Sequence, residues 1–432
     1  MNGAARPWRR ALAWLALLGP LFYASYGLAN HLAAARAAVP SAVFDWERSV
    51  PFLDWTIAPY WSLNLFYAAS PLLARTRHEL DRHVARLLTA QVVAVTCFIL
   101  WPLQFSFGQP AVQGWPALFF DALRGFDRPY NQAPSLHIVL VLILWDFYRR
   151  LLAGRAARLL LALWMGAIAV SVLTTWQHHF IDIPTGALVG LLCIWAWPLE
   201  RRVSMAQAWR LTRDAQRRRL AAAYAVGAVA TAAAALAVGG AALGLLWVTA
   251  ALALVALNYL GFGARGFGMD RQGRMHWSAR VLLLPYRLAA RLNGWLWTRR
   301  RAATREVLPG VAVGSVARLP AGDTRQLVSL CAELQAPRGM ACRCLPWLDL
   351  VPASPAALRR AAGAIDHAVR QGRPVVVGCA LGVSRSVAAL ACWLARSGQA
   401  TDLDDALARL RRAHPQLVLG PAWLAALKAA AR

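Results

Sequence analysis

The sequence predicts a multi-pass α-helical membrane domain of about eight transmembrane helices, followed by a smaller α/β domain. First, 59% of the 432 residues are hydrophobic, which is more apolar surface than a soluble protein of this length buries. Second, apolar runs recur over the first 262 residues, with lengths suited to a hydrocarbon core of about 30 Å. Third, the last part of the chain alternates short strand-like runs with helical ones, which is typical of helices packed on one central sheet.

The predicted spans share an apolar composition with few central charges. They are Ala11–Leu28, Phe52–Leu73, Leu87–Phe107, Ser135–Leu151, Leu159–Trp176, Ile183–Pro198, Leu220–Val238 and Ala241–Phe262. The formal net charge of +27 is carried almost entirely by arginines, which cluster after spans two, four, six and eight. Because cytoplasmic loops carry the excess of positive residues, this pattern predicts a cell (inner) membrane protein with both termini in the cytoplasm. It also accounts for the charge without a nucleic-acid partner.

The same runs divide the chain into five segments. They are 1–51, a first transmembrane helix and outer loop; 52–199, a membrane core; 200–262, two additional transmembrane helices; 263–303, a linker; and 304–432, the α/β domain. The linker is predicted to hold an interfacial basic helix, because its arginines recur at helical spacing and Trp295 and Trp297 suit a headgroup boundary. A solvated basic linker is the alternative.

The α/β domain is organised around the stretch from Val375 to Ser386, which reads as a strand, a tight loop and the start of a helix. In such a loop, backbone N–H groups and the positive end of the helix dipole converge where an anion can bind. The same field favours a thiolate, so Cys379 is the candidate nucleophile. Arg385, six residues on, can bind two phosphate oxygens.

This Cys-x5-Arg-Ser loop resembles that of the protein tyrosine and dual-specificity phosphatases, with a likeness over roughly residues 307–427. The resemblance implies a phosphoric monoester hydrolase in which Cys379 forms a cysteinyl-phosphate and Arg385 binds phosphate. It implies Asp349 as proton donor to the leaving oxygen, and Ser386 as a hydroxyl that assists release of the thiolate. The residues of the implied phosphate-binding loop are Ala380, Leu381, Gly382, Val383 and Ser384.

Two features of the loop bear on its substrate. Gly378 stands where the family usually has a histidine before the nucleophile. The loop positions between Cys379 and Arg385 carry no charge, which favours a phosphoprotein or a lightly charged substrate over a highly charged lipid headgroup. We therefore expect a phosphoprotein or a phospholipid at this cytosolic site.

Two polar segments interrupt the membrane core on its predicted outer side, at residues 131–137 and 174–182. His178 precedes Asp182 by four residues across a helix start, so the carboxylate can orient the imidazole and stabilise its charged form. His137 could then protonate a leaving group. Ionisable residues at membrane depth are functional candidates by default.

These segments resemble the type 2 phosphatidic acid phosphatase superfamily, and more closely its branch that contains inositol phosphorylceramide synthases. The matching motifs read Pro-Ser-Leu-His and His-x-x-x-Asp, and the likeness covers roughly residues 52–199. It implies a six-helix core in which His178 is the nucleophile that forms a phosphohistidine. It also implies that Asp182 orients this ring and that His137 is the general acid.

The same resemblance implies that Arg128 and Ser135 hold the phosphate, with Arg124 as a supporting charge. Asp121 and Val172 stand where the superfamily carries cations. With fewer cations, a bulky lipid monophosphate or phosphodiester is favoured over free pyrophosphate.

Together these motifs predict a membrane-bound phosphatase with two phosphoryl sites. One is a His-based lipid phosphatase or phosphotransferase site on the outer face, and the other is the cytosolic Cys-based site. The expected partners are membrane lipids, and a lipid phosphate at the outer site. The seven cysteines lack the regular spacing of a disulfide framework or a zinc site, and we expect neither a metal nor a cofactor. The alternative is a phospholigand sensor or scaffold, in which one domain binds without turnover and regulates the other.

Overall fold

The structure is a computed structural model that describes residues 6–201 and 203–431. The chain forms two compact units. The N-terminal unit comprises the chain up to Gln207 together with Ala235–Leu246, and the C-terminal unit comprises Ala208–Ala234 together with the chain from Trp247 onward.

The helices of the described residues follow in chain order. They are α1 (Trp8–Ala34), α2 (Ile57–Leu72), α3 (Arg77–Leu100), α4 (Trp115–Arg124), α5 (Leu136–Leu151), α6 (Arg155–Thr174), α7 (Asp182–Ala196), α8 (Met205–Ala208), α9 (Ala215–Val238), α10 (Leu245–Leu257), α11 (Trp277–Leu282), α12 (Leu284–Thr298), α13 (Pro355–Arg370), α14 (Arg385–Arg396), α15 (Leu403–Ala413) and α16 (Pro421–Ala431).

Five helical stretches of the described chain are long and apolar enough to cross a membrane. They are Trp8–Ala34, Arg77–Leu100, Arg155–Thr174, Ala215–Val238 and Gly240–Phe267. Three other predicted spans correspond to the shorter helices α2, α5 and α7, of 16, 16 and 15 residues. At 1.5 Å per residue these reach only about 24 Å, less than the usual hydrocarbon thickness. The five long helices indicate a membrane protein, and the count of eight spans stays a prediction.

The start of α3 differs from the predicted span because polar residues extend the helix. Thr76 caps it by accepting a hydrogen bond from the Glu79 N–H at 3.1 Å, so the helix begins at Arg77 rather than Leu87. The extra turns are stable because Arg86 is buried and its Nη1 donates to Asp146 of α5 at 2.9 Å. An apolar window alone does not reveal such a buried ion pair.

Helices α5 and α7 approach closely because two glycines of α7 face α5. A Cβ on Gly186 would lie 2.7 Å from the Ser135 carbonyl oxygen, and one on Gly190 would lie 3.1 Å from the Val139 carbonyl oxygen. Small residues four apart are a common basis of tight helix packing in membranes. This contact joins the two polar segments that the sequence singled out.

The C-terminal unit contains a five-stranded sheet of order β1-β2-β5-β3-β4. Its strands are β1 (Thr304–Leu308), β2 (Val311–Ser315), β3 (Gln326–Cys331), β4 (Cys342–Trp347) and β5 (Val375–Cys379). Strand β1 is antiparallel to β2, and the other pairs are parallel. Alternate residues face opposite sides, so Val375 and Val377 pack with α13–α16 while Val376 packs with Leu327 and Met340. The predicted single central sheet with packed helices is therefore present.

Candidate functional sites

The loop after β5 curls around the thiol of Cys379. Gly382 adopts φ +76°, and a Cβ there would lie 2.8 Å from the backbone of Gly314. The Gly382 N–H donates to the Cys379 Sγ at 3.2 Å, and the Ser386 Oγ lies 3.3 Å from the same sulfur. Because the central strand is buried on both sides, the position of this sulfur is set by the sheet.

Arg385 begins α14 beside this loop and is 1% exposed. Its Nη1 donates to the Glu333 Oε2 and to the Trp347 carbonyl, both at 3.0 Å, and its Nη2 contacts the other Glu333 oxygen. Nη2 also lies 3.0 Å from the Asp349 Oδ1. The Nε is buried and has no hydrogen-bond partner among the described residues. The guanidinium is thus oriented by carboxylates and keeps a donor for an anion.

Asp349, the predicted proton donor, lies two residues after the end of β4. Its side chain is 41% exposed, so it can reach a bound substrate. Burial by surrounding protein raises the pKa of its carboxyl, the Arg385 charge opposes this shift, and the Glu333 charge adds to it. A raised pKa favours the protonated form that a proton donor needs.

The remaining loop residues are held by hydrogen bonds of their carbonyl groups. The Ser315 Oγ donates to the Ala380 carbonyl at 2.7 Å, and the Val418 N–H donates to the Val383 carbonyl at 2.8 Å. Their anchored carbonyls fix the orientation of the intervening peptide groups. Leu381 and Ser384 are half-buried in the same loop.

Gly378 fits its place between two strands. A Cβ there would lie 2.9 Å from a methyl group of Val316 and 3.0 Å from one of Leu327. A histidine at this position would therefore require both neighbours to shift. The packing explains why a glycine precedes the nucleophile in this chain.

Glu333 is the functional candidate that sequence reasoning missed in this domain. It lies two residues beyond β3 and is only 3% exposed. The available signal was a lone carboxylate in the apolar run Leu330–Leu334, because a buried carboxylate needs a cationic partner. The sequence does not show that this partner is Arg385, which is 52 residues away.

In the N-terminal unit, His178 and Asp182 meet at the start of α7. The His178 Nδ1 lies 3.1 Å from the Asp182 Oδ2, and the same oxygen accepts the His179 N–H at 3.1 Å. Asp182 is fully buried. A carboxylate on Nδ1 fixes the tautomer in which Nε2 has its lone pair free for attack. The pair has the geometry that the sequence spacing predicted.

His137 lies in the first turn of α5, with its ring centroid 6.3 Å from that of His178. Its ring stacks on Tyr60 at 4.0 Å, and its Nε2 is buried without a hydrogen-bond partner among the described residues. The structure thus brings the two predicted histidines onto one site.

Two cavities meet at His178. One has a volume of about 290 Å³ and is lined by Arg124, Arg128 and Gln132 among others. The other has a volume of about 460 Å³ and is lined mainly by apolar side chains of α1, α2 and α5, with His137. A cavity that contains two arginines and an apolar cavity that share His178 are suited to a molecule with a charged group and a hydrocarbon part.

Three residues are predicted to bind phosphate at the His178 site, and the two arginines line a cavity whereas the serine does not. Arg128 and Arg124 line the smaller cavity, and Arg124 also pairs with Asp121 at 2.7 Å. Ser135 is fully buried, caps α5 through the Ile138 N–H at 3.5 Å, and does not line either cavity. Its predicted role in holding phosphate stays a prediction.

Asp127 also lines both cavities, and sequence reasoning missed it. The Tyr26 hydroxyl donates to its Oδ2 at 3.2 Å, and its Oδ1 is buried without a hydrogen-bond partner among the described residues. Burial raises the pKa of this carboxyl to about 6. The signal in the sequence was an acidic residue directly before Arg128, one of the predicted phosphate-binding residues.

His179 stacks on an aromatic ring and pairs with a carboxylate. Its ring stacks on Phe105 at 4.4 Å, and its Nδ1 lies 3.0 Å from Oε2 of Glu47, which sequence reasoning did not single out. The same Glu47 oxygen accepts the Phe180 N–H at 2.9 Å, so this carboxylate fixes the loop that carries His178.

Within residues 6–201 and 203–431, no cluster of three or more His, Cys, Asp or Glu side chains is arranged to hold a metal ion.

Comparison with known proteins finds likeness in one part of the chain. No family model matches the sequence, and no curated protein matches it. Similar solved structures include dual-specificity and protein tyrosine phosphatases, which correspond to about 30% of the chain.

Three of these structures illustrate the match. Tk-PTP in the active form is 25% identical, over 30% of this chain and 97% of its own, with a TM-score of 0.27. Human DUSP28 is 25% identical, over 29% of this chain and 94% of its own, with a TM-score of 0.27. PTPMT1 in complex with PI(5)P is 16% identical, over 30% of this chain and 94% of its own, with a TM-score of 0.27.

Proposed function

We propose that this protein is a membrane-bound phosphatase with two phosphoryl sites, of which the Cys379 site is a phosphoric monoester hydrolase. The observation that carries the proposal is the joint geometry of this site. A loop N–H and a hydroxyl contact the Cys379 sulfur at 3.2 and 3.3 Å, and Asp349 lies 3.0 Å from the buried Arg385.

The geometry supports a two-step reaction. The Cys379 thiolate attacks phosphorus, the bond from phosphorus to the leaving oxygen breaks, and protonated Asp349 gives that oxygen its proton. Loop N–H groups and the Arg385 guanidinium stabilise the charge on the transferring phosphoryl group. Water then attacks the cysteinyl-phosphate, Asp349 accepts a proton from it, and the thiolate leaves with the Ser386 hydroxyl donating to the sulfur.

At the second site, His178 Nε2 is the proposed nucleophile. Asp182 holds the opposite ring nitrogen, and His137 is placed to protonate the leaving oxygen as the bond from phosphorus to that oxygen breaks. Arg128 and Arg124 line the smaller cavity, where phosphate oxygens would bind. The phosphohistidine then transfers its phosphoryl group to water or to an alcohol. This assignment corresponds to a type 2 phosphatidic acid phosphatase-like lipid phosphatase or phosphotransferase.

The membrane architecture completes the proposal. Eight spans with both termini in the cytoplasm agree with the arginines that follow every second span. In this arrangement the His178 site faces the outer side of the cell (inner) membrane, and the Cys379 site faces the cytosol. The shorter helices α2, α5 and α7 would then span a locally thinned bilayer.

The test is phosphate release by the purified full-length protein, alongside Cys379→Ser and His178→Ala. We expect Cys379→Ser to abolish hydrolysis of an aryl phosphate, and the addition of His178→Ala to Cys379→Ser to abolish the remaining release from a membrane lipid phosphate. His367→Ala, on the exposed side of α13, is the matched histidine control and should change neither activity. If the protein binds phosphate but none of the substrates turns over, it is the sensor or scaffold, not an enzyme.

A further inference from the structure

The Cys379 site is attached to helices of membrane length within the C-terminal unit. The Tyr259 hydroxyl donates to the Asp349 carbonyl at 3.1 Å, and Tyr259 belongs to Gly240–Phe267, a membrane-length helical stretch. The Tyr259 ring stacks on Tyr224 of α9 at 5.5 Å, and α9 is also of membrane length. The hydrogen bond between Tyr259 and Asp349 therefore links the loop that carries the candidate acid to a predicted pair of membrane helices.

A second element, α12, packs directly on the phosphate-binding loop. A Cβ on Gly294 would lie 2.8 Å from the Cβ of Ala317 and 3.7 Å from the Ala380 carbonyl oxygen. Ala290, one turn earlier, packs against the cluster that contains Ala317 and Ala380. Thr298, one turn later, is 2% exposed. Residues at four-residue spacing thus form the inner face of α12.

The outer face of α12 is apolar and uncovered in the described chain. Its large side chains are between 47% and 58% exposed, and they are Leu288, Leu292, Trp295 and Leu296. They recur at positions i, i+4, i+7 and i+8, which forms one stripe along the helix. Trp297 is 66% exposed and lies off this stripe. Arg291 lies beside this stripe, and the Arg299 guanidinium lies 5.7 Å from the Trp295 ring.

This combination fits a lipid surface better than a protein partner. Exposed tryptophans with flanking arginines suit the headgroup layer of an anionic leaflet, where the rings enter the acyl boundary and the guanidinium groups meet phosphates. The same unit contains the larger part of the membrane-length stretches Ala215–Val238 and Gly240–Phe267, which would hold it at a bilayer. A patch of this kind on a free-standing soluble domain would favour aggregation.

We propose that the outer face of α12 docks on the bilayer, and that the Cys379 site takes the phosphate monoester of a membrane lipid. This inference rests on the proposed phosphatase function and names its substrate class. The lipid keeps its hydrocarbon in the leaflet and offers its terminal phosphate to the loop beneath α12. The reaction forms the S–P bond and breaks the P–O bond, and the lipid oxygen takes the Asp349 proton to leave as an alcohol. Water releases inorganic phosphate in the second step.

The absence of charge in the loop refines the substrate. Between Cys379 and Arg385 the side chains are small or apolar, so Arg385 is the single cation that the loop itself supplies. A lipid with one terminal phosphate meets this condition, whereas a headgroup with several phosphates leaves charges unpaired.

The experiment uses the full chain with His178→Ala, so that the outer site contributes no turnover, reconstituted in phosphatidylcholine discs. The probes are phosphatidic acid in the disc, soluble para-nitrophenyl phosphate and a soluble phosphotyrosine peptide. We expect release from phosphatidic acid and from para-nitrophenyl phosphate, both lost on Cys379→Ser. The double change Leu292→Ser with Trp295→Ser should lower the lipid rate about tenfold, because burial of two large apolar side chains is lost. It should leave the aryl phosphate rate within about twofold.

A matched pair of arginine variants tests the charge contribution. In discs that also contain phosphatidylglycerol, Arg291→Gln should lower the lipid rate about threefold. Arg360→Gln, at an exposed arginine of α13, should not change it.

The outcomes separate the inference from the function on which it rests. Aryl phosphate hydrolysis without lipid hydrolysis, or a clear preference for the peptide, overturns the lipid assignment and keeps the phosphatase. An equal fall of both rates in the α12 double variant makes this helix a structural support and overturns docking. If the His178→Ala protein with an unchanged α12 hydrolyses none of the three probes, the phosphatase function itself is contradicted.

Discussion

At the scale of single residues, the Cys379 site depends on a side chain that its motif does not contain. Glu333 binds the Arg385 guanidinium through both oxygens and is itself buried. A buried guanidinium without such a partner would retain an uncompensated charge. Glu333 also acts on the acid, since its charge raises the pKa of Asp349 while Arg385 opposes the effect of burial.

Glu333→Gln should therefore change both rate and pH dependence. Without the Glu333 charge, the pKa of Asp349 falls, so the protonated acid is lost at lower pH and the alkaline limb of the profile shifts toward acid. We expect kcat to fall about tenfold or more, because Arg385 loses its orientation. The measurement is the pH profile of phenyl phosphate hydrolysis, whose poor leaving group needs the acid. Asp366→Asn, in the exposed pair with Arg370, is the carboxylate control.

Asp127 gives a pH prediction for the His178 site. Its pKa of about 6 means that the carboxyl is neutral below this pH and negative above it. A negative charge on the wall shared by both cavities repels the phosphate. In the Cys379→Ser protein, where the His178 site alone acts on the lipid phosphate, KM should therefore rise as the pH increases through about 6. Asp127→Asn should remove this step and lower KM at pH 7.5, while the aryl phosphate activity, measured with Cys379 present, stays constant. A step that persists in the variant would assign it to another group.

These residues show why the sites were only partly predictable. Cys379 and Arg385 lie at the two ends of one loop, and His178 and Asp182 lie at one helix start, so local spacing places each pair in one site. The partners Glu333, Asp127 and Glu47 come from distant parts of the chain. Their contacts depend on how strands and helices pack, and no local spacing records that packing.

At the scale of elements, the His178 site is formed by the contact of α5 with α7. Helix α5 carries His137, and the start of α7 carries Asp182. The Ser135 N–H donates to the Asp182 carbonyl at 3.1 Å, which fixes one helix start against the other. Gly186, one turn after Asp182, permits the close approach.

Gly186→Ala should therefore impair the membrane site selectively. The new Cβ would lie 2.7 Å from the Ser135 carbonyl oxygen, so α7 must move away and carry Asp182 with it. A displacement near 1 Å at catalytic groups can lower a rate about a hundredfold. We expect such a loss of the lipid phosphate release that persists in Cys379→Ser, with aryl phosphate hydrolysis unchanged in the protein that keeps Cys379.

The control for this helix contact is Gly166→Ala in α6, where a Cβ would meet no atom within 4 Å. It should retain full activity at both sites. Equal losses in both glycine variants would point to general destabilisation of the membrane helices rather than to the α5–α7 contact.

Hydropathy identified several membrane-length helices from the sequence but missed the start of α3. The runs that became α1, α6 and α9 were identifiable because each is long and continuously apolar. The start of α3 was not, because Arg82 and Arg86 lie inside the helix and are buried. The segment 263–303, predicted to be a linker with one interfacial basic helix, contains the two helices α11 and α12. That α12 is interfacial stays a prediction.

At the scale of the whole molecule, the question is where the independently folding phosphatase part begins. The sequence places its start at residue 304, and this boundary stays a prediction. The structure describes contacts that cross it. The Cys344 N–H at the edge of the sheet donates to the Arg271 carbonyl at 2.8 Å, and the Ala336 N–H donates to the Gly273 carbonyl at 2.9 Å. Helix α12 covers Ala317 beside the phosphate-binding loop.

Two truncations test the boundary, one of residues 264–432 and one of residues 304–432. The longer fragment keeps the contacts of Arg271, Gly273 and α12, whereas the shorter one exposes an apolar surface and unpairs two backbone groups. Together these losses amount to about 3 kcal/mol, which for a domain of this size lowers the melting temperature by roughly 10 °C. We expect the longer fragment to hydrolyse para-nitrophenyl phosphate in detergent near the full-length rate, and the shorter one to be less active and less stable. Equal activity and melting temperature would show that residues 264–303 only tether the catalytic domain, and that its fold is complete from residue 304.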